Sequence, residues 1–278
     1  MDRNLLRRQL KAFLAEDIGR GDLTSESIFV VGEIGRARLV AREPFVAAGV
    51  GNIAAEVFWV QNKAIEVIDP VAEGSLLQPG DTLMTVSGPV VDLLKAERVA
   101  LNLVQRLSGI ATITSRFVEA VAGTRVRITD TRKTTPGLRM MEKYAVQVGG
   151  GSNHRFNLTD GVLIKDNHIA ACGSITEAVR RVRHKAPHTI RIEVETDTLE
   201  QVDECLACGV DIIMLDNMSC ETMTKAVQKI NGRALVEASG GVNLSTVAAI
   251  AATGVDIISV GALTHSAPSC DIGMDWSQ

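Results

Sequence analysis

Aromatic residues are scarce in this 278-residue chain: one Tyr, two Trp and six Phe make up 3% of it. That leaves little for stacking nucleobases. The formal charge of −4 leaves no broad basic face for a phosphate backbone, so nucleic acid is excluded as the main partner. No apolar run approaches the roughly 20 residues of a membrane helix, so no membrane is expected either. The five cysteines are odd in number, and a chain of this size needs no disulfide staples. The first residues, MDRNLLRRQLKAFLAED, carry charge throughout. Their apolar positions (Leu5, Leu6, Leu10, Phe13, Leu14) fall at helical spacing, which reads as an amphipathic helix and not as a signal peptide. A cytoplasmic location is the expectation.

What the chain does have is aliphatic bulk and one concentrated run of cations. It is 46% apolar, mostly Val, Ile, Leu and Ala, the composition of buried parallel strands covered by helices. Residues 130–168 hold Arg132, Lys133, Arg139, Lys143, Arg155 and Lys165 with His154 and His168, against four acids. A window of net +2 in an acidic protein is a local pocket feature. Interleaved with Thr-Thr-Pro-Gly and Gly-Gly-Gly turns, it suits a small polyanion, because Arg pairs bidentately with carboxylate or phosphate and Lys adds a point charge.

Residues 1–110 read as a small α+β domain. A helix over 3–16 is followed by strands at GRARLVARE, KAIEVID and DTLMTVSG, with an apolar helix near 53–60 between the first two. A long helix runs from about Asp92 to Val121, with a break expected near Gly109. Residues 111–278 repeat short apolar runs that end in polar chemistry: RVRITDT, GVLIKDN, IRIEVET, DIIMLDN, ALVEASGG and DIISVGA. Alternating strand and helix means a parallel sheet with right-handed crossovers. Polar strand ends point to an α/β barrel with its site at that rim. Six strands are countable; the barrel is incomplete, or a strand hides within 138–160.

Each strand end offers a candidate. Arg132 and Lys133 follow the first barrel strand, Lys165 ends the second, and His154 and Arg155 lie in the loop between. Solvated loop charge is the plainer account, but surface cations are not usually set at successive strand ends. Glu195 and Asp216 end neighbouring strands; hard carboxylates there suit Mg²⁺, sugar hydroxyls, or simple ion pairing with Lys165. Glu193 points the same way one layer deeper. Ser239, Gly240 and Gly241 precede a helix expected over Asn243–Thr253, an anion site at a helix N-terminus, and Gly261 and Ala262 take the equivalent place on the last strand. On the long helix Arg98, Asn102 and Arg106 share one face. The pair Cys205 and Cys208 has no second ligand pair, so zinc is not expected.

Taken together, EDIGRGDLT, ERVALNLVQRLSGIAT, DTRKTTPGLR, EKYAV, GGGSNHRFNLTDGVLIKDNHI, EVE, MLDN, EASGGV and GVDIISVGALTHS resemble the quinolinate phosphoribosyltransferases (carboxylating nicotinate-nucleotide pyrophosphorylases) over nearly the whole chain. The resemblance implies an N-terminal α/β sandwich and a C-terminal α/β barrel of about seven strands. It also implies a homodimer, or a higher oligomer built from it, in which Arg98 of one subunit completes the partner's site. The implied reaction joins quinolinate to phosphoribosyl pyrophosphate with Mg²⁺ and releases pyrophosphate and CO₂. On this reading Arg98, Thr131, Arg132, Lys133, His154, Arg155 and Lys165 bind quinolinate. Glu195, Asp216, Ser239, Gly240, Gly241, Gly261, Ala262 and Leu263 serve the phosphoribosyl side. Lys165, Glu195 and Asp216 carry the catalysis, with Glu195 and Asp216 as metal ligands.

Three rivals stand beside it. A related phosphoribosyltransferase-like paralogue would use another acceptor. A Schiff-base aldolase would use Lys165, and a non-catalytic sensor would bind phosphorylated ligands without turnover.

Overall fold

A computed structural model describes residues 1–277. In chain order its elements are α1 (Arg3–Ile18), α2 (Leu23–Ile28), β1 (Ile34–Ala41), β2 (Phe45–Val46), α3 (Ala55–Gln61), β3 (Glu66–Ile68), β4 (Leu76–Leu77), β5 (Thr82–Pro89) and the long α4 (Val90–Ala120). Then follow β6 (Arg127–Thr129), α5 (Arg139–Val148), β7 (Val162–Ile164), α6 (Asp166–Cys172), α7 (Ile175–Lys185), β8 (Ile192–Thr196), α8 (Leu199–Cys208), β9 (Ile212–Asp216), α9 (Cys220–Ile230), β10 (Leu235–Ser239), α10 (Val247–Ala251), β11 (Ile257–Ser259), α11 (Ala262–His265) and β12 (Ile272–Trp276). They form two compact units. One holds Met1–Ser115, Met140–Gly150 and the segment from Ala267 onward; the other holds Arg116–Arg139 and Gly151–Ser266.

The first unit is built on an antiparallel sheet ordered β12-β1-β5-β3. Its opening helix is set by local chemistry. The Asp2 side chain accepts the backbone N–H groups of Asn4 and Leu5, satisfying donors that the first turn leaves free. Leu6, Leu10 and Leu14 form the buried stripe. Two features depart from the sequence reading. The last strand, β12, pairs with β1 from Ala37↔Trp276 to Ala41↔Ile272, so the segment from Ala267 belongs here and not with the barrel. And α4 continues unbroken through Gly109. That glycine serves a close approach: a Cβ there would lie 1.8 Å from the Pro268 carbonyl oxygen.

The second unit is a six-stranded parallel sheet ordered β6-β11-β10-β9-β8-β7. A seventh position is taken by a single residue. Ser152 bridges Thr129 in parallel on the free side of β6, donating to the Ile128 carbonyl and accepting the Asp130 N–H. The strand sought within 138–160 is therefore one residue long, and the stretch before it is α5. The barrel helices begin where Ser174, Thr198 and Ser219 cap them. Strand alternation sends Val194, Ile213, Leu215, Val236 and Ala238 to the buried apolar side. The interleaved Glu193, Glu195, Asp216, Glu237 and Ser239 point inward. Among the described residues no helix is long and apolar enough to cross a membrane.

Candidate functional site

The C-terminal strand ends of the barrel surround a cavity of ≈570 Å³. Three kinds of chemistry meet in it. Thr131, Arg132 and Lys133, just past β6, and His154 and Arg155, just past the Ser152 bridge, line one side. Lys165, Glu195 and Asp216, at the ends of β7, β8 and β9, line the next. Ser239, Gly240 and Gly241, at the end of β10, close the ring.

The cationic side is held from behind. Asp130 is fully buried and accepts the His154 N–H at 2.9 Å and the Asn153 side-chain amide at 2.5 Å. Arg139 ties two loops together, donating to Thr134 Oγ1, to the Arg132 carbonyl and to the Phe156 carbonyl. Thr264 donates to the Lys133 carbonyl at 2.8 Å. The Thr131 hydroxyl accepts the Lys133 N–H at 3.0 Å, tightening the turn. Arg132 Nε is buried without a hydrogen-bond partner. Burial, and then the positive charge of Arg132, holds the Arg155 guanidinium below its ordinary pKa. An anion between them relieves both effects.

On the next side, Lys165 Nζ lies 3.0 Å from Glu195 Oε2, the ion pair that the sequence left open as one role for Glu195. Asp216 Oδ2 accepts from the Asn217 side chain at 2.7 Å. Asn217 itself has φ +53°, unusual for a residue with a Cβ. Its backbone N–H donates to the Ser239 carbonyl, and its side chain packs against Gly240. At Gly240 φ is +93° and a Cβ would stand 2.2 Å from Asn217 Oδ1, so no other residue fits without moving the loop.

Beneath these, Glu193 and Glu237 are buried in the barrel interior and converge on His154. Burial first, and the Glu193 charge second, pushes the Glu237 carboxyl up to about 7.

Some expected residues stand elsewhere. The helix after Gly241 starts only at Val247 and is five residues long, so the anion-binding capacity lies in the Ser239–Gly241 backbone and not at a helix end. Gly261 sits against Lys133 and His265, and Leu263 is fully buried; neither they nor Ala262 line the cavity. Arg98 is exposed on α4 in the other unit. Residues the sequence reading did not single out are Asp130, Asn217, Glu237 and the clamping role of Arg139. Their signal was weak, since each acts through a loop or a neighbouring strand.

Clustered cations, paired carboxylates and a glycine turn at successive strand ends define a barrel protein that binds a small polyanion at its C-terminal face. Residues 22–108 match the family model for the N-terminal domain of quinolinate phosphoribosyl transferase, and residues 110–275 match that for its C-terminal domain. The chain belongs to the quinolinate phosphoribosyltransferase family. It is 48% identical over 271 residues to a probable nicotinate-nucleotide pyrophosphorylase [carboxylating] of Bacillus subtilis, covering 97% of this chain and 93% of that protein. With the nicotinate-nucleotide pyrophosphorylase [carboxylating] of Mycobacterium leprae the identity is 47%, over 97% of this chain and 96% of the relative. The crystal structure of NadC from Streptococcus pyogenes superposes with a TM-score of 0.95 at 42% identity, covering 100% of this chain and 99% of that one.

Proposed function

We infer that this chain is the enzyme of NAD biosynthesis that transfers phosphoribosyl from phosphoribosyl pyrophosphate to quinolinate. The products are nicotinate mononucleotide, pyrophosphate and CO₂. The observation that carries the reading at the site is the pair Arg132 and Arg155. Two neighbouring guanidinium groups, one with an orphaned Nε and one depressed by burial and then by the other's charge, match a rigid acid with two adjacent carboxylates. Thr131, Lys133 and His154 extend that side.

On the phosphoribosyl side, Ser239, Gly240 and Gly241 offer backbone N–H groups to phosphate oxygens. The reaction passes through an oxocarbenium-like state at the anomeric carbon, and the carboxylates of Glu195 and Asp216 stabilise that charge. Their hard oxygen donors also fit Mg²⁺, which when bound neutralises the pyrophosphate leaving group. Lys165, held by Glu195 at the rim, faces the same negative charge. Its ammonium is in an ion pair, which counts against a Schiff-base role. Decarboxylation needs no protein nucleophile: the positive charge of the quaternised ring nitrogen stabilises the electron pair left on the adjacent carbon, which then takes a proton from water. Arg98 of a second subunit completes the acid pocket in the homodimer we propose. We place the reaction in the cytoplasm, a reading that the odd number of cysteines supports.

The test is turnover by purified protein with quinolinate, phosphoribosyl pyrophosphate and Mg²⁺, following nicotinate mononucleotide and CO₂, with nicotinate as control acceptor. Product from quinolinate alone is the expected result. Folded protein that turns over neither acid would move the function to a different acceptor.

A further inference from the structure

The barrel interior keeps charge where a packed apolar layer is usual. Glu193 and Glu237 are only 4% and 2% exposed. Both reach one imidazole: His154 Nε2 is 3.3 Å from Glu193 Oε2 and 3.6 Å from Glu237 Oε1. One oxygen of each carboxylate, Glu193 Oε1 and Glu237 Oε1, is buried without a hydrogen-bond partner. These groups border a second cavity of ≈160 Å³ under the first. Two buried acids so poorly satisfied are costly to the fold, and such violations concentrate where function requires them.

The other ring nitrogen indicates what the cluster does. His154 Nδ1 accepts the Arg155 backbone N–H at 2.7 Å, so in the neutral ring the proton sits on Nε2, toward the carboxylates. The three side chains have ligand atoms within 4.8 Å of one another, a spacing that suits a cation. A metal on Nε2 would nevertheless strip the ring of its only proton while Nδ1 remains an acceptor. The tautomer therefore favours a hydrogen-bonded buttress over a metal site. Residues 154 and 155 are then pinned at three points: the His154 N–H by Asp130, the imidazole by Glu193 at 3.3 Å with the Glu237 carboxylate facing it at 3.6 Å, and the Arg155 guanidinium by the Gly161 carbonyl at 2.9 Å.

We propose that Glu193 and Glu237 are positioning residues for the acceptor acid. They act through His154, whose ring fixes the Arg155 main chain and so aims the Arg155 guanidinium into the mouth cavity. Neither glutamate touches substrate in this scheme. The proposal deepens the quinolinate reading above and rests on it.

The experiment uses the full chain and two readouts, steady-state kinetics and calorimetric binding of quinolinate. Glu237→Gln keeps the shape and removes the charge. The expected result is a rise of about fivefold in both KM and Kd for quinolinate, with KM for phosphoribosyl pyrophosphate unchanged. In a His154→Asn background the same substitution should add less than about 1.5-fold, because a residue that acts through another loses its effect when the intermediary is gone. Glu193→Gln should behave alike, and it carries the test if Glu237→Gln does not fold. Equal rises in both KM values, or full additivity with His154→Asn, would overturn the proposal. So would a stoichiometric metal in the purified protein that Glu237→Gln removes. Wild-type protein that binds quinolinate but does not turn it over would sink the proposed reaction while leaving the positioning claim open to the binding readout.

Discussion

The two ends of the barrel look alike until their hydrogen bonds are traced. A cavity of ≈570 Å³ opens at the C-terminal strand ends and one of ≈600 Å³ at the N-terminal ends, and both are lined by arginines and carboxylates. At the N-terminal end both aspartates and Arg233 are already engaged with the backbone. Asp211 accepts the Ile192 N–H at 2.8 Å, and Asp256 accepts the Val236 N–H at 2.9 Å. Arg233 donates to the Ile230 and Lys229 carbonyls. At the C-terminal end Arg132 Nε has no partner, and Lys165, Glu195 and Asp216 face the cavity. Size and charge do not separate a binding site from a structural seam. Whether the polar groups are consumed by backbone does.

That contrast can be broken experimentally. The largest effect is expected at the cationic side. Arg132→Ala or Arg155→Ala should lower kcat/KM for quinolinate by about 10- to 150-fold, the loss of one charge-assisted hydrogen bond; an unchanged value would remove that residue from the acid pocket. Next comes Gly240→Ala, which forces a Cβ into Asn217 at a left-handed φ. It should raise KM for phosphoribosyl pyrophosphate by about tenfold, since such backbone strain costs about 1–3 kcal/mol. Asp216→Asn should raise the Mg²⁺ concentration for half-maximal rate by about fivefold, in line with the loss of one carboxylate ligand. Identical Mg²⁺ dependence would mean that Asp216 is not a ligand. The smallest change, and the sharpest control, is Asp256→Ala at the opposite end. It leaves the Val236 N–H without its acceptor and should lower Tm by about 2–4 °C per kcal/mol lost with kcat/KM intact. A kinetic defect there would end the distinction between the two rims.

The rim was legible because each residue closes an apolar run: Lys165 after VLI, Glu195 in IEVET, Asp216 after IIML, Ser239 after LVEA. Strand period and polar punctuation fix such positions locally. What the sequence did not disclose depends on closure. Glu237 falls in ladder register with Met214, as does Glu195, yet its partner is an imidazole on a loop that only the folded barrel brings near. Ser152 makes a one-residue bridge, and one residue has no period to detect. Of the helix expected over 243–253 only Val247–Ala251 is regular. Asn243 Oδ1 accepts the Ser245 N–H, and Thr246 Oγ1 accepts the Asn243 N–H, a capping pattern that opens a helix, but residues 244–246 stay an irregular turn. Gly109 looked like a breaker because a contact with Pro268 cannot be read from a helix's own sequence.

The pairing of β12 with β1 carries a consequence for how the chain is made. Arg42 and Asp275, which meet beside that pairing, lie 233 residues apart. During synthesis the first sheet stays one strand short until the barrel has been translated. The barrel, whose strands follow one another closely, has no such wait. Long-range pairing of this kind is slow to form and leaves an edge open meanwhile. The unit made first by the ribosome is therefore the one completed last, and a fragment ending near residue 110 lacks the strand that closes its sheet.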